Sequence, residues 1–317
     1  MADLTPPTPL SDAERGETAP TLLPLSSQER GSGGEVIVGR VVLADNLAAL
    51  AELPDDSVDL IYVDPPFNTG QTRVLQQIKA TQDEAGDRIG FQGRRYRTLR
   101  LGESRYVDIH DDYLAFIEPR IVEFRRVLKP HGSLYFHIDY REAHYCKILL
   151  DVVFGRACFL NEIIWAYDYG GRTTRRWPAK HDTILVYVKD PNQYYFDADA
   201  VERIPYMAPG LVGPEKAARG KLPTDTWWHT IVPPGGKERT GYPTQKPLGI
   251  LRRIVQASSP PDGLVADFFA GSGTTGAACL ELGRRFVLVD DNPEALAVMQ
   301  RRFADRPDIT YERPEPG

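Results

Sequence analysis

Two stretches of this chain carry side chains whose types and spacing suit chemistry on a small planar ring. The first is LIYVDPPFNTG, residues 60–70. Val58 to Val63 reads as a buried strand. Asp64-Pro65-Pro66-Phe67 must end it, because two consecutive prolines donate no backbone hydrogen bond and hold the chain extended. A stiff loop at a strand's C-terminal end then carries a carboxylate, an outward carbonyl and an aromatic ring. That set suits a planar base with an exocyclic amine. Asp64 and the Pro65 carbonyl can accept both amine hydrogens, and Phe67 can lie against the ring. The same four letters also fit a strand stop with a core phenylalanine, so the rest of the chain must decide.

The second stretch is Gly271-x-Gly273-x-x-Gly276, between a strand at Leu264 to Asp267 and a helix at Ala277 to Leu282. With Asp290 and Asn292 after the following strand, it matches the dinucleotide fingerprint. Asp267 argues against a pyrophosphate, which a carboxylate at the turn repels. It would welcome a cation such as the ammonium or sulfonium of S-adenosyl-L-methionine, with Asp290 on the ribose hydroxyls. Thr244-Gln245-Lys246-Pro247 opens a helix at Leu248 to Ala257. Lys246 and the free amides there would make a site for the methionine carboxylate.

These loops need a scaffold. Val36 to Leu43, Val58 to Val63, Ser133 to Ile138, Asn161 to Tyr167, Thr183 to Lys189, Leu264 to Asp267 and Arg285 to Val289 read as strands. Helices are predicted at 47–53, 112–128, 141–154, 248–257, 277–282 and 294–303, and Lys129-Pro130-His131-Gly132 reads as a helix stop. Alternating strands and helices imply a doubly wound, mostly parallel Rossmann-like α/β sheet with one antiparallel strand, Thr183 to Lys189. Its sites lie at strand C-termini, where Asp45, Asn46 and Asp64 fall. Residues 1–34, rich in Pro, Ser and Thr, read as a disordered arm. Residues 35–190 would be the catalytic half, 191–240 a small target-recognition insertion, 241–305 the cofactor half and 306–317 a tail.

Two basic segments flank the first motif. Residues 71–105 carry Arg73, Arg94, Arg95 and Arg97 among eight basic residues and read as a long polar loop. Arg172, Arg175 and Arg176 interleave with aromatics beyond Trp165 and Tyr167. Both segments suit nucleic-acid backbone and base contacts, or are solvated surface. The whole chain is no polycation, with a net charge of −6, so any nucleic-acid surface must be local. The three cysteines lack metal spacing and read as buried apolar residues of a reducing, cytoplasmic setting. No run approaches membrane-spanning length, and the N-terminus lacks the pattern of a secretory signal. The His-x-Glu and Pro-Cys-x-x-Cys of a zinc deaminase are absent.

Taken in this order, the motifs resemble those of the permuted β-type amino-methylating DNA methyltransferases, whose catalytic motif precedes the cofactor motif. Asp64-Pro65-Pro66-Phe67 matches the (D/N/S)PP(Y/F) motif. The segment from Asp267 and Phe268 through Gly271, Ser272, Gly273, Thr274 and Thr275 is similar to the cofactor loop. Thr244-Gln245-Lys246 resembles the segment closing over the cofactor, and Asp45-Asn46 the turn near its adenine. The resemblance spans about residues 36–305. Phe67 stands where Tyr is commoner, and Asp290 where Glu is frequent. The resemblance implies an S-adenosyl-L-methionine-dependent enzyme methylating adenine N6 in duplex DNA after base flipping, with cytosine N4, RNA or protein glutamine as alternatives. It also implies a homodimer, and leaves room for a cognate restriction nuclease.

Overall fold

The computed structural model describes residues 37–67, 71–82, 88–89, 95–108, 112–168 and 173–313, with 71–108 described by backbone alone. The first half holds β1 (Gly39–Leu43), α1 (Asn46–Glu52), β2 (Val58–Val63), β3 (Gln71–Gln82), β4 (Arg88–Ile89), β5 (Arg95–Asp108), α2 (Tyr113–Val127), β6 (Leu128–Ile138) and α3 (Ala143–Phe154). After these come β7 (Phe159–Ala166), β8 (His181–Val188), α4 (Pro214–Arg219), β9 (Thr226–Trp228), α5 (Leu248–Ser258), β10 (Leu264–Asp267), α6 (Thr274–Leu282), β11 (Arg285–Asp290), α7 (Pro293–Arg302) and β12 (Ile309–Glu312).

Nine strands form one sheet in the order β12-β1-β11-β10-β2-β6-β8-β7-β9. Only β8 runs against its neighbours, as the sequence predicts. Side chains alternate across the sheet. Ile61 and Val63 enter a core with Leu50 of α1, Ile117 and Phe124 of α2 and Leu150 of α3. Leu60 and Tyr62 enter the opposite core with Leu251 of α5, Cys279 of α6 and Met299 of α7. Burial on both faces explains the near-continuous apolar runs of the central strands. In α2, Ile117, Ile121 and Phe124 repeat at helical spacing and are fully buried. Each such side chain contributes about 1.5–3 kcal/mol on leaving water. Asp112 caps α2 by accepting from the Ala115 amide at 3.0 Å.

One topological fact builds the site. β10, from late in the chain, inserts beside β2 with Val265 opposite Leu60 and Ala266 opposite Ile61. The loop after β10 therefore lies next to the Asp-Pro-Pro-Phe loop after β2.

The structure corrects several expectations. The polar loop at 71–105 is instead an antiparallel hairpin, paired from Gln71↔Asp108 to Gln82↔Tyr96 with β4 on its edge. Thr72, Val74, Ile78 and Ala80 hold a two-residue alternation that the basic composition hides. Lys129-Pro130-His131-Gly132 follows the end of α2 at Val127, as expected of a helix stop, but it lies within a strand, because β6 begins at once with Leu128 opposite Val58. Buried Asp59 holds that segment, accepting from Lys129 at 2.9 Å and bonding His131 at 2.7 Å. Residues 306–317 are more than a tail, since β12 adds an edge strand parallel to β1. Arg40 reaches Glu312 there with two bonds of 2.9 and 2.8 Å. The 191–240 segment also joins the sheet through β9, parallel to β7. Residues 1–34, Arg94 and Arg172 lie outside the described residues. Among those described, no helix is long and apolar enough to cross a membrane. Cys146, Cys158 and Cys279 are buried and unpaired as disulfides.

Candidate active site

Asp64 leaves the end of β2 between two cavities. One, of about 350 Å³, runs along the ends of β1, β10 and β11, and the other, of about 690 Å³, opens past Phe67 towards β7 and β8. Asp64, Pro66, Tyr242, Thr244 and Lys246 line both. A group bound in either would meet the other at Asp64.

The smaller cavity gathers most of the predicted cofactor residues. Asp267 is buried at its floor. Its carboxylate accepts from the Phe269 amide at 3.1 Å and the Thr275 hydroxyl at 2.5 Å, and it makes no ion pair among the described residues. Burial pushes this carboxyl up to about 7; the Thr275 and Phe269 bonds oppose the rise, and nearby Asp64 and Asp290 add to it. Asp290 accepts from the Gly271 and Asn292 amides at 2.7 and 2.9 Å. Burial lifts it to about 6, against those two bonds and with Asp291 adding to the rise. Gly271 and Gly273 both have positive φ, 50° and 71°, so the turn between β10 and α6 needs them.

Asp45 caps α1, accepting from the Leu47 and Ala48 amides. Asn46 crosses to the neighbouring loop, donating to the Phe268 carbonyl at 3.2 Å. Arg120 donates to Asn46 at 2.6 Å, lies 3.4 Å from Asp45 and stacks 3.9 Å over Phe116. The turn is thus clamped at one end of the cavity.

Four expectations change at this scale. The Phe268 ring turns into the core, stacked on Phe124 at 5.4 Å, and its neighbour Phe269 is the partly exposed ring of the pair. Gln245 fastens its own loop, accepting from Thr240 and donating to the Glu238 carbonyl. Lys246 is not beside open amides. Its ammonium pairs with Asp64 Oδ2 and lies 4.9 Å from the Phe67 ring, while Glu238 already accepts from the Leu248 amide at the start of α5. Gly276, like Gly273, serves packing, for a Cβ would lie 2.8 Å from Leu288 at the first and from Met299 at the second.

The larger cavity is walled by Pro65, Phe67, Trp165, Tyr167 and Asp182. Trp165 is buried and donates its indole N–H to the His229 carbonyl at 2.7 Å. Arg175 and Arg176 lie exposed on the segment leading to Ala179 and His181 at the rim. Arg73, Arg95 and Arg97 fall on the hairpin backbone. Asp64 Oδ1 is buried and accepts no hydrogen bond among the described residues. An orphaned carboxylate oxygen at the junction of the two cavities wants an N–H donor.

A family model described as DNA methylase matches residues 58–301. The chain belongs to the DNA methylase family. It is a DNA methyltransferase of the N6/N4 type, and S-adenosyl-L-methionine is its methyl donor. It is 30% identical over 264 residues to the type II methyltransferase M.HpaI of Haemophilus parainfluenzae, across 83% of this chain and 74% of that one. It is 31% identical over 271 residues to the DNA adenine methyltransferase YhdJ of Escherichia coli K12, across 83% and 82%. In fold it is similar to the cytosine-N4-specific PvuII DNA methyltransferase, with a TM-score of 0.58 at 18% identity over 85% of this chain and 87% of that one. The M1.HpyAVI–SAM complex gives 0.54 at 20%, over 84% and 98%.

Sequence reading of this methyltransferase misses Tyr62, Phe116, Arg120, His137, Tyr242 and Phe269. Arg120 was findable, since an arginine between Ile117 and Ile121 on an apolar helix stripe needs a buried partner. His137 is a single polar letter inside the apolar run Leu134 to Ile138. The others carried no signal, because aromatic residues in loops and strands are usually core.

Proposed function

We propose that this enzyme methylates the exocyclic N6 of adenine in duplex DNA, and that Asp64 is the residue that engages the amine. The carrying observation is the buried Asp64 Oδ1, left without a hydrogen bond at the junction of two cavities. Adenine is favoured because Asp stands first in the motif, which in the resembling family goes with adenine. The YhdJ relative, named a DNA adenine methyltransferase, supports the same choice.

The smaller cavity fits the donor. Asp267 is a buried carboxylate with no counter-ion among the described residues, and a cationic ligand would relieve that cost. Asp290, Gly271 and the Asp45–Asn46 turn would hold the ribose and adenine ends. When bound, S-adenosyl-L-methionine supplies an electrophilic methyl group on a positively charged sulfur.

The protein's part is positioning. A target base inside a duplex must be turned out of the stack to reach the larger cavity. Phe67 would lie against its ring, with Trp165 and Tyr167 on the far wall. Asp64 and the Pro65 carbonyl would accept the two amine hydrogens, localising the nitrogen lone pair that the ring otherwise withdraws. Lys246 would keep the Asp64 carboxylate oriented from its other oxygen. Fixed geometry and preset dipoles then account for most of the acceleration.

Arg175 and Arg176 would meet phosphates at the rim, and Arg73, Arg94, Arg95, Arg97 and Arg172 are proposed as further phosphate contacts. Residues 191–240 are the proposed target reader; Trp228, 78% exposed on β9, is its most exposed aromatic. A homodimer and a cognate nuclease are carried here as proposals from the resemblance.

The deciding experiment is nucleoside mass spectrometry of mixed-sequence duplex DNA treated with protein and S-adenosyl-L-methionine. N6-methyladenine is the expected product. N4-methylcytosine would refute the adenine assignment and keep the role of Asp64. Absence of both products would overturn the substrate reading.

A further inference from the structure

Behind the Asp-Pro-Pro-Phe loop lies a buried polar chain that the mechanism above does not use. His137, fully buried near the end of β6, has Nδ1 2.7 Å from the Tyr62 hydroxyl and Nε2 3.3 Å from Asp182 Oδ2. The Tyr167 hydroxyl donates to the other Asp182 oxygen at 3.0 Å. The same His137 Nδ1 lies 3.9 Å from Asp64 Oδ1, the orphaned oxygen. Phe67 and Trp165 pack on the imidazole with ring centroids 5.8 and 5.5 Å away. Asp182 and Tyr167 reach the wall of the larger cavity, so the chain runs from Asp64 to the space where the base would leave.

The partners fix the protons. Burial works against the Asp182 charge, but hydrogen bonds from His137 and Tyr167 and the nearby Lys246 hold its carboxyl below the usual value. An ionised carboxylate only accepts, so His137 Nε2 carries the hydrogen and Nδ1 keeps its lone pair. Burial first, then Asp64, Asp267 and Asp182, holds the Tyr62 phenol well above its usual range, so its O–H donates to Nδ1. The groups acting on the imidazole are therefore Tyr62, Asp64 and Asp182, with Tyr167, Lys246 and Asp267 behind them. A ring nitrogen held only by a rotatable phenol, beside a carboxylate oxygen with no hydrogen bond among the described residues, is a poor arrangement for stability alone. It suits a site through which a proton must pass.

We propose that His137 is a positioning residue acting through Asp64, and that it takes up the proton the methylated amine must lose. This rests on the reading of Asp64 as the amine's partner. As the new carbon–nitrogen bond forms, the nitrogen carries one hydrogen too many. One N–H bond breaks, its electron pair stays on nitrogen, and the proton passes to Asp64 Oδ1. The Tyr62 hydroxyl turns aside and the proton moves on to His137 Nδ1. Asp64 is a carboxylate again and Lys246 keeps its partner. The imidazolium rests against the Asp182 carboxylate, which stabilises the charge as a carboxylate behind a general-base histidine does. As the base departs, the Nδ1 proton returns through Asp64 Oδ1 to water refilling the cavity, and His137 is left protonated at Nε2 alone, as in the resting enzyme.

Single-turnover methylation of duplex DNA at saturating cofactor, followed from acid to alkaline pH, tests this. The wild-type rate should fall towards acid along a one-proton limb. H137N should be slower by roughly 100-fold or more, should lose that limb, and should keep its affinity for S-adenosyl-L-methionine. A limb that persists in H137N overturns the proposal. Because a buried histidine variant can misfold, a second measurement uses the native enzyme alone. Nitrogen-15 spectra of labelled histidine should show His137 protonated at Nε2 and unprotonated at Nδ1. An Nδ1-protonated ring in the resting enzyme also overturns it. A wild-type enzyme inert on every DNA would instead refute the reading of Asp64, and the two failures stay distinct.

Discussion

Replacing Asp267 with Asn should make the free protein more stable and the cofactor complex weaker. The carboxyl rises from 3.8 to about 7 in the folded chain, chiefly through burial. Each unit is worth about 1.4 kcal/mol, so three units set an upper bound of about 4 kcal/mol on the cost of ionising it there. The sign follows from linkage. Between its unfolded and folded values the native state binds the extra proton, so this group's contribution to stability falls as pH rises through that window. D267N removes the cost above it. Chemical denaturation near about pH 8 should therefore show D267N more stable than wild type, by a fraction of that bound, with the gap narrowing in acid and closing only below 3.8. Cofactor binding should respond in the opposite sense. A cationic ligand needs the ionised form, so wild-type affinity by calorimetry should fall about tenfold per unit below about pH 7. Asp290, lifted to about 6, should steepen the fall further down. D267N should bind weakly and lose the dependence that begins near 7. A less stable D267N at alkaline pH, or wild-type affinity flat across neutrality, would refute the assignment of Asp267 to the cation.

Three further outcomes are expected. Asp64→Ala should abolish methylation while calorimetric cofactor affinity survives, and equal loss of both would sink its role towards the amine. Gly276→Ala puts a Cβ 2.8 Å from Leu288 and 3.2 Å from Phe286 and Phe303, so its urea midpoint should drop by the equivalent of roughly 1–3 kcal/mol. An unchanged midpoint would show that α6 shifts freely. Asp59→Ala strips the acceptor from Lys129, His131 and the buried Leu264 amide and should cost roughly 3–5 kcal/mol at neutral pH. Burial opposes the Asp59 charge, but those three bonds hold its carboxyl below 3.8. Its contribution is thus present above 3.8 and lost as pH falls through the folded value, so the deficit of D59A should shrink in acid. A deficit independent of pH would contradict this.

Much of the fold was legible because both faces of the sheet are covered. Central strands such as Leu60 to Val63 then become unbroken apolar runs, and α2 and α5 show clean helical stripes. Legibility failed where local composition and long-range pairing disagree. The hairpin of β3 and β5 is rich in arginine and glutamine, so its alternation is faint. Gln71 and Asp108 meet only through their register. β12 is four residues from a Pro-rich end, and it is a strand because β1 offers it an open edge.

Within the site, residue types and their order are fixed by neighbouring letters. Asp-Pro-Pro-Phe can only stop a strand, and the positive φ of Gly271 and Gly273 is a demand that glycine meets. A carboxylate at the β10 end excludes a pyrophosphate by charge alone. These are local constraints, written in neighbouring letters. Which distant groups share a space depends on how the strands assemble. The insertion of β10 beside β2 joins the two cavities at Asp64. The approach of α5 sets Lys246 on that carboxylate instead of on an open anion site. Pairing of β6 with β8 brings His137 to Asp182. Such contacts depend on strand order and register, which are settled by the burial of whole faces and not by any short stretch of chain.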